Sequence, residues 1–176
     1  MNVEEGVALA RFTTVGTGGP ARAFAKPETL ADLREALAWA AERDLAVATI
    51  GLGSNLLVAD EGVDALVLRL GGELAGVEVD GELLRAAGGA ANAVCLHRAR
   101  SAGLGGFEFA CAIPGTIGGA RISPKHANFI ENAGGARSAV AIALMDEARR
   151  RAYAEYGVVL VHEVVLLGPL ELPPVE

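Results

Sequence analysis

Residues 50–58 have the composition of a backbone phosphate-binding loop. An apolar run at 46–50 leads into Gly-Leu-Gly-Ser-Asn at 51–55, and a second apolar run follows. Glycines allow close approach of a ligand to the backbone, and successive N–H groups in a turn form an anion site that suits a pyrophosphate. In a Rossmann fold a helix follows the glycines, whereas here a β-like run follows, which indicates another kind of nucleotide site. Taken alone, the segment fits a tight turn between strands equally well.

A second glycine-rich segment lies at 113–120 and reads Ile-Pro-Gly-Thr-Ile-Gly-Gly-Ala. It follows Gly-Phe-Glu at 106–108, and a hairpin and a helix separate it from the first segment. Two such segments at this separation indicate a ligand-binding site more specifically than either segment does alone. The pair favours two loops of one binding site over two unrelated turns.

Composition excludes several classes of protein. The net charge of -7 over 176 residues provides no basic field for nucleic acid, and no apolar run is long enough to span a membrane. No secretory signal pattern is present. Cys95 and Cys111 are too few for a disulfide framework, so both are expected to be buried in a cytosolic protein. Cys95 and His97 stand two apart on a helix and do not face each other, so no metal site is expected.

The elements that position the two loops follow from periodicity and turn signals. Thr29 and Asp32 form a potential capping box at the start of a helix, and Asp80-Gly81 is typical of a hairpin turn. Arg149 to Arg151 are expected on the solvent face of the last helix, and Trp39 is expected to pack in the core. Strands are predicted at 21–26, 46–50, 65–70 and 158–167, a hairpin at 77–84, and helices at 29–43, 90–102 and 138–156.

These motifs together resemble the FAD-binding region of bacterial UDP-N-acetylenolpyruvoylglucosamine reductases, the second enzyme of peptidoglycan precursor synthesis. The C-terminal part is similar to the last-domain segment and closing motif of the shorter subtype, so the resemblance covers nearly the whole chain. The matching runs are Thr13-Thr14, 18–21, 51–58, 106–108, 113–120, 119–130 and 157–168.

The resemblance implies an α+β fold. Residues 1–120 would form an FAD-binding region of two small subdomains, as in vanillyl-alcohol-oxidase-like flavin folds, and 121–176 part of a third, substrate-binding domain. It implies FAD, held noncovalently, and NADPH as cofactors and a UDP-sugar enolpyruvyl ether as substrate. The protein is then expected to be a cytoplasmic monomer with no nucleic-acid or membrane partner.

The resemblance also assigns roles to individual residues. Glu163 falls on a family glutamate that stabilises charge developing on the substrate carboxylate, and a side chain at Gly53 is expected to intrude on the phosphate. Asn55, Lys125 and His126 are candidate substrate contacts, although a solvated loop explains Lys125 and His126 equally well. The implied cofactor-binding residues are Gly51, Leu52, Gly53, Ser54, Asn55, Leu56, Pro114, Gly115, Thr116, Gly118, Gly119 and Ala120.

The chain also departs from the family pattern. Gly118-Gly119-Ala120 runs directly into Arg-Ile-Ser-Pro-Lys-His, as if two separated pieces were joined at a shared tripeptide. A domain-scale block of about a hundred residues that carries the family's arginine and its serine or cysteine proton donor is missing. Phe12 stands where an asparagine is usual, and Val165 where arginine is frequent. An inert flavin-binding remnant is therefore the alternative to an active reductase.

Overall fold

A computed structural model of the chain describes residues 2–118, 136–162 and 164–175. It has the predicted α+β fold. The helices are α1 (Leu30–Ala41), α2 (Asn92–Ser101) and α3 (Ser138–Tyr156). The strands are β1 (Val3–Ala8), β2 (Pro20–Ala25), β3 (Ala46–Thr49), β4 (Leu56–Val58), β5 (Val63–Leu68), β6 (Val77–Asp80), β7 (Leu83–Ala86) and β8 (Val165–Leu167).

A four-stranded sheet in the order β1-β2-β5-β3 forms the centre of the N-terminal region. β2, β5 and β3 are parallel, and β1 runs antiparallel to β2. Alternating residues of β5 point to opposite faces: Leu66 and Leu68 pack with Ala36 and Ala40 of α1, whereas Val67 packs in a second cluster on the other face. That second face carries the segment that includes β4.

Local signals set the start of α1 and the hairpin. The Thr29 side chain accepts a hydrogen bond from the Asp32 N–H, and the Asp32 carboxylate accepts from the Thr29 N–H, which confirms the capping box. The β6–β7 hairpin turns through Gly81 at φ 58°. Trp39 packs against the α1-side cluster with the Arg43 guanidinium 4.2 Å from its ring centroid, as expected.

Three expectations are wrong. Of the described residues in the predicted strand 158–167, only 165–167 pair, since their partner β4 is three residues long; residues 158–162 are irregular and exposed, Val161 to 85%. Cys111 is exposed although Cys95 is buried. Arg149 does not simply face solvent, because its guanidinium donates to the carbonyl oxygens of Leu160 and Pro173. Arg150 and Arg151 are exposed and form i,i+4 pairs with acidic residues of α3.

The C-terminal segment attaches to the N-terminal region through the chain around β4. β8 runs parallel to β4. The Asp60 carboxylate accepts hydrogen bonds from the N–H and hydroxyl of Ser138, at 2.8 and 2.7 Å, and so caps the start of α3 from outside the helix. The proposed domain division at residue 120 stays a prediction, because 119–135 lie outside the described residues. None of the helices in the described ranges is long and apolar enough to cross a membrane.

The capping box of α1 makes the free energy of unfolding depend on pH in the acid range. Hydrogen bonds from the Thr29 side chain and from the Thr29 and Glu28 N–H groups lower the pKa of Asp32 below its ordinary value of 3.8. Its contribution to stability is therefore present above that value and is lost as the pH falls through the lower folded-state pKa. Asp32→Asn should lower the urea midpoint at neutral pH, and the difference from the unsubstituted protein should shrink below pH 3.8. Glu82→Gln, on the exposed hairpin turn, is the control; a difference independent of pH would contradict the assignment.

Candidate functional site

The first glycine loop connects β3 to β4 and offers unused backbone donors. The chain passes from β3 through 51–55 into a strand, as predicted, and not into a helix. Within the described ranges, the N–H groups of Gly51, Leu52, Gly53 and Ser54 donate to no acceptor. Leu52 and Ser54 are exposed, Gly51 is half-buried and Gly53 is buried. Successive unpaired donors in a turn are the arrangement that binds an anion.

Gly53 holds this loop against the N-terminal turn. It adopts φ 75°, which is unfavourable for other residues, and its carbonyl accepts a hydrogen bond from the Thr14 N–H at 3.0 Å. A Cβ atom at Gly53 would collide with the carbonyl oxygen of Phe12. The protein's own backbone is thus the nearest obstacle to a side chain at Gly53, and intrusion on a phosphate stays a prediction.

The second loop lies along residues 88–92. Ile117 and Gly118 donate from their N–H groups to the carbonyl oxygens of Ala90 and Gly88, both at 2.8 Å. Asn92, which is buried at the start of α2, donates from its N–H to Gly115 O and from Nδ2 to Ile113 O, both at 3.0 Å. Sequence reasoning missed Asn92; its only signal was a polar side chain among alanines at a helix start.

The two loops face each other. A Cβ atom at Gly51 would lie 2.8 Å from Oγ1 of Thr116, whose side chain is buried, and one at Gly115 would lie 3.9 Å from the Ser54 hydroxyl. The structure thus brings together two segments separated by about sixty residues of chain. A turn that only connected β3 to β4 would not account for this meeting.

The closing strand reaches the same place. The Val165 N–H donates to the carbonyl oxygen of Asn55 at 3.0 Å, and Val165 pairs with Leu56 in the β4–β8 register. The chain two residues beyond Glu163 therefore lies directly beside the first loop. Outside the described residues are Gly119, Ala120, Lys125, His126 and Glu163.

The described residues fit a dinucleotide cofactor. The unpaired N–H groups at 51–54 suit a diphosphate, and the absence of a side chain at Gly51 allows the two loops to meet at Thr116. The Thr17 hydroxyl, in the turn that packs beneath, is buried and has no hydrogen-bond partner in the described part of the chain. The arrangement can hold an extended phosphorylated ligand.

Comparison with known proteins finds a flavin-binding family and relatives that are reductases. The profile of a family described as FAD binding domain matches residues 21–159. The chain is 49% identical over 110 residues to UDP-N-acetylenolpyruvoylglucosamine reductase 2 of Symbiobacterium thermophilum, covering 62% of this chain and 36% of that protein. It is 50% identical over 114 residues to the reductase of Rhodospirillum rubrum, covering 65% of this chain and 35% of that protein.

A solved structure shares the fold. The crystal structure of UDP-N-acetylenolpyruvylglucosamine reductase from Thermus caldophilus superposes with a TM-score of 0.56 at 37% identity, over 68% of this chain and 41% of that one. The chain therefore spans between about a third and two fifths of the length of these relatives.

The contact between the loops is open to a steric test. Gly51→Ala places a methyl group against Thr116 and should push the loops apart, which should weaken FAD binding by about tenfold, or about 1.4 kcal/mol. Gly105→Ala is the matched control, since a Cβ atom there meets only Glu108 Oε1 at 3.5 Å. Fluorescence titration of FAD measures both. The double variant Gly51→Ala/Thr116→Ala should recover affinity; equal affinities for all variants would show that the contact does not shape the site.

Proposed function

We propose, on the premise that this chain belongs to the FAD binding domain family, that it forms the flavin-binding part of a UDP-N-acetylenolpyruvoylglucosamine reductase. That enzyme would carry out NADPH-dependent reduction of UDP-N-acetylglucosamine enolpyruvate to UDP-N-acetylmuramate for peptidoglycan synthesis. The observation that carries the proposal is the meeting of loops 51–55 and 114–118 across Gly51 and Thr116.

The two loops divide the cofactor between them. The backbone of 51–55, with Leu56, would bind the diphosphate, to which the N–H groups of 51–54, unpaired in the described chain, would donate. The second loop would lie along the ribityl chain and the isoalloxazine. When bound, FAD supplies the hydride-transfer chemistry. The residues of the second loop in this role are Pro114, Gly115, Thr116, Gly118, Gly119 and Ala120.

Substrate contacts would come from both regions of the chain. Asn55 stands at the end of the first loop, where β8 joins β4. Lys125 and His126 would contribute charge or hydrogen bonds to the phosphate or carboxylate groups of a UDP-sugar enolpyruvyl ether. We propose that the protein acts as a monomer in the cytoplasm.

Glu163 would act on the substrate. Its place in the chain, two residues before the Val165 N–H that binds Asn55 O, supports a position near the flavin loop. A carboxyl group there would stabilise the charge that develops on the substrate carboxylate, if it is protonated, or would relay a proton to the adjacent carbon.

A second candidate is a flavin-binding remnant that keeps FAD without turnover. The direct run from Gly118-Gly119-Ala120 into the Arg121 segment favours it. In that case the substrate-binding block and its arginine would be missing. Loss of one such electrostatic group costs about 10²–10³ in rate, so loss of several should leave no measurable turnover.

Two measurements decide between the candidates. Heat-denatured protein should release FAD, identified by chromatography; release of FMN, or of no flavin, would contradict both. NADPH oxidation that increases on addition of the enolpyruvyl sugar nucleotide then indicates the reductase, whereas FAD binding without stimulated oxidation indicates the remnant.

An active protein would work in two half-reactions, reduction of the flavin by NADPH and then its reoxidation by the substrate. Glu163→Gln separates the two. It should slow reoxidation of the flavin by substrate by about 10²–10³ and leave reduction by NADPH nearly unchanged, because only the second half develops the charge that Glu163 would address. Stopped-flow absorbance at the flavin band follows each half separately. An equal loss in both halves would mean that Glu163 supports the fold and not the chemistry.

A further inference from the structure

Two guanidinium groups lie on one aromatic ring beside the first loop. The guanidinium carbon of Arg11 is 4.9 Å, and that of Arg69 5.3 Å, from the ring centroid of Phe12. Phe24 stacks on the same ring, with centroids 4.8 Å apart and planes 10° apart. The Phe12 ring is therefore contacted by two cations that come from two different parts of the chain.

Arg69 lies at the sheet edge where the loop begins. β3 and β5 are parallel, Thr49 is paired with Leu68, and the Ile50 N–H donates to Leu68 O at 2.8 Å. The residue after Leu68 therefore stands next to the start of loop 51–55. In open parallel sheets ligands bind outside the carboxyl ends of the strands.

The register also places Arg69 on the correct face. Side chains two residues apart on a strand share a face, and Val67 belongs to the cluster that contains Ile50 and Val58 and against which Phe12 packs. The guanidinium of Arg69, on the Phe12 ring, is on that side. The carbonyl oxygen of Phe12 in turn lies against Gly53.

Neither guanidinium is neutralised by the described residues. Six other arginines form ion pairs within those ranges, but Arg11 and Arg69 have neither a carboxylate nor a carbonyl partner there. Their contacts with Phe12 are cation–π interactions, which orient the two groups without cancelling their charge. Both positive charges would attract an anion bound at the adjacent loop.

We propose that Arg69, with Arg11 on the same aromatic ring, provides the counter-charge for the diphosphate of FAD bound on the N–H groups of residues 51–54. The proposal rests on the proposed function, because it needs a flavin dinucleotide in that loop. The N–H groups would fix the position of the phosphates, and the guanidinium would favour a doubly charged ligand over an uncharged flavin. Arg69 would thereby determine specificity for a phosphorylated flavin.

The test compares ligands with and without phosphate on the full chain. Arg69→Gln should raise the Kd for FAD by roughly tenfold to a hundredfold and leave the Kd for riboflavin unchanged. It should also flatten the salt dependence of FAD binding, since salt screens charge. Arg69→Lys should restore part of the affinity. Arg22→Gln removes the same charge from the exposed face of β2, where Arg22 pairs with Asp64, and should change neither Kd.

The outcomes distinguish the role of Arg69 from the proposed function of the chain. FAD binding that is unaffected by Arg69→Gln would overturn the role of Arg69 and leave the proposed function intact. Equal losses for FAD and riboflavin would also overturn it, because they would show that Arg69 only supports the loop. A selective loss for UDP, with FAD unaffected, would assign the charge to the substrate and overturn the proposal. An unsubstituted chain that binds no flavin would refute the proposed function, and this assignment with it.

Discussion

Residues 53–62 pack against residues 12–20 so closely that side chains are excluded at the points of contact. A Cβ atom at Gly53 would collide with the Phe12 carbonyl, one at Gly19 with the Asp60 carbonyl, and one at Gly62 with the Pro20 carbonyl. Backbone thus meets backbone at several places, and larger residues would force the two segments apart. The position of the first loop over the N-terminal turn depends on this contact.

The C-terminal part of the chain is attached to the same residues, 53–62. β8 pairs with β4, Asp60 caps α3 through Ser138, and a Cβ atom at Gly168 would meet Ala59 at 2.7 Å. The N-terminal turn, the first loop and the C-terminal strand therefore form one assembly around residues 53–62. A ligand that stabilises this loop also stabilises the docking of the C-terminal strand, because the two share β4.

The sequence predicts those parts of the fold and site that depend on neighbouring residues. It does not predict the parts that depend on contacts between distant segments. The Thr29 cap, the Asp80-Gly81 turn and the glycines of both loops carry their signals within a few residues. The pairing of β8 depends on the length of a strand more than a hundred residues earlier in the chain, which no pattern in 158–167 reveals. The obstacle at Gly53 and the bonds of Arg149 to Leu160 and Pro173 likewise depend on distant segments.

The central claim is that the two glycine loops bind one FAD molecule together, and hydrogen exchange of their backbone amides tests it most directly. Exchange is compared with and without FAD, using the β6–β7 hairpin as an internal reference. The N–H groups of 51–54 have no partner in the described chain, so bound phosphate should slow their exchange. We expect both 51–54 and 115–116 to become protected at the same FAD concentration while the hairpin stays unchanged; the Ile117 and Gly118 N–H groups already donate to residues 90 and 88. Protection of only one loop, or of neither, would contradict the claim.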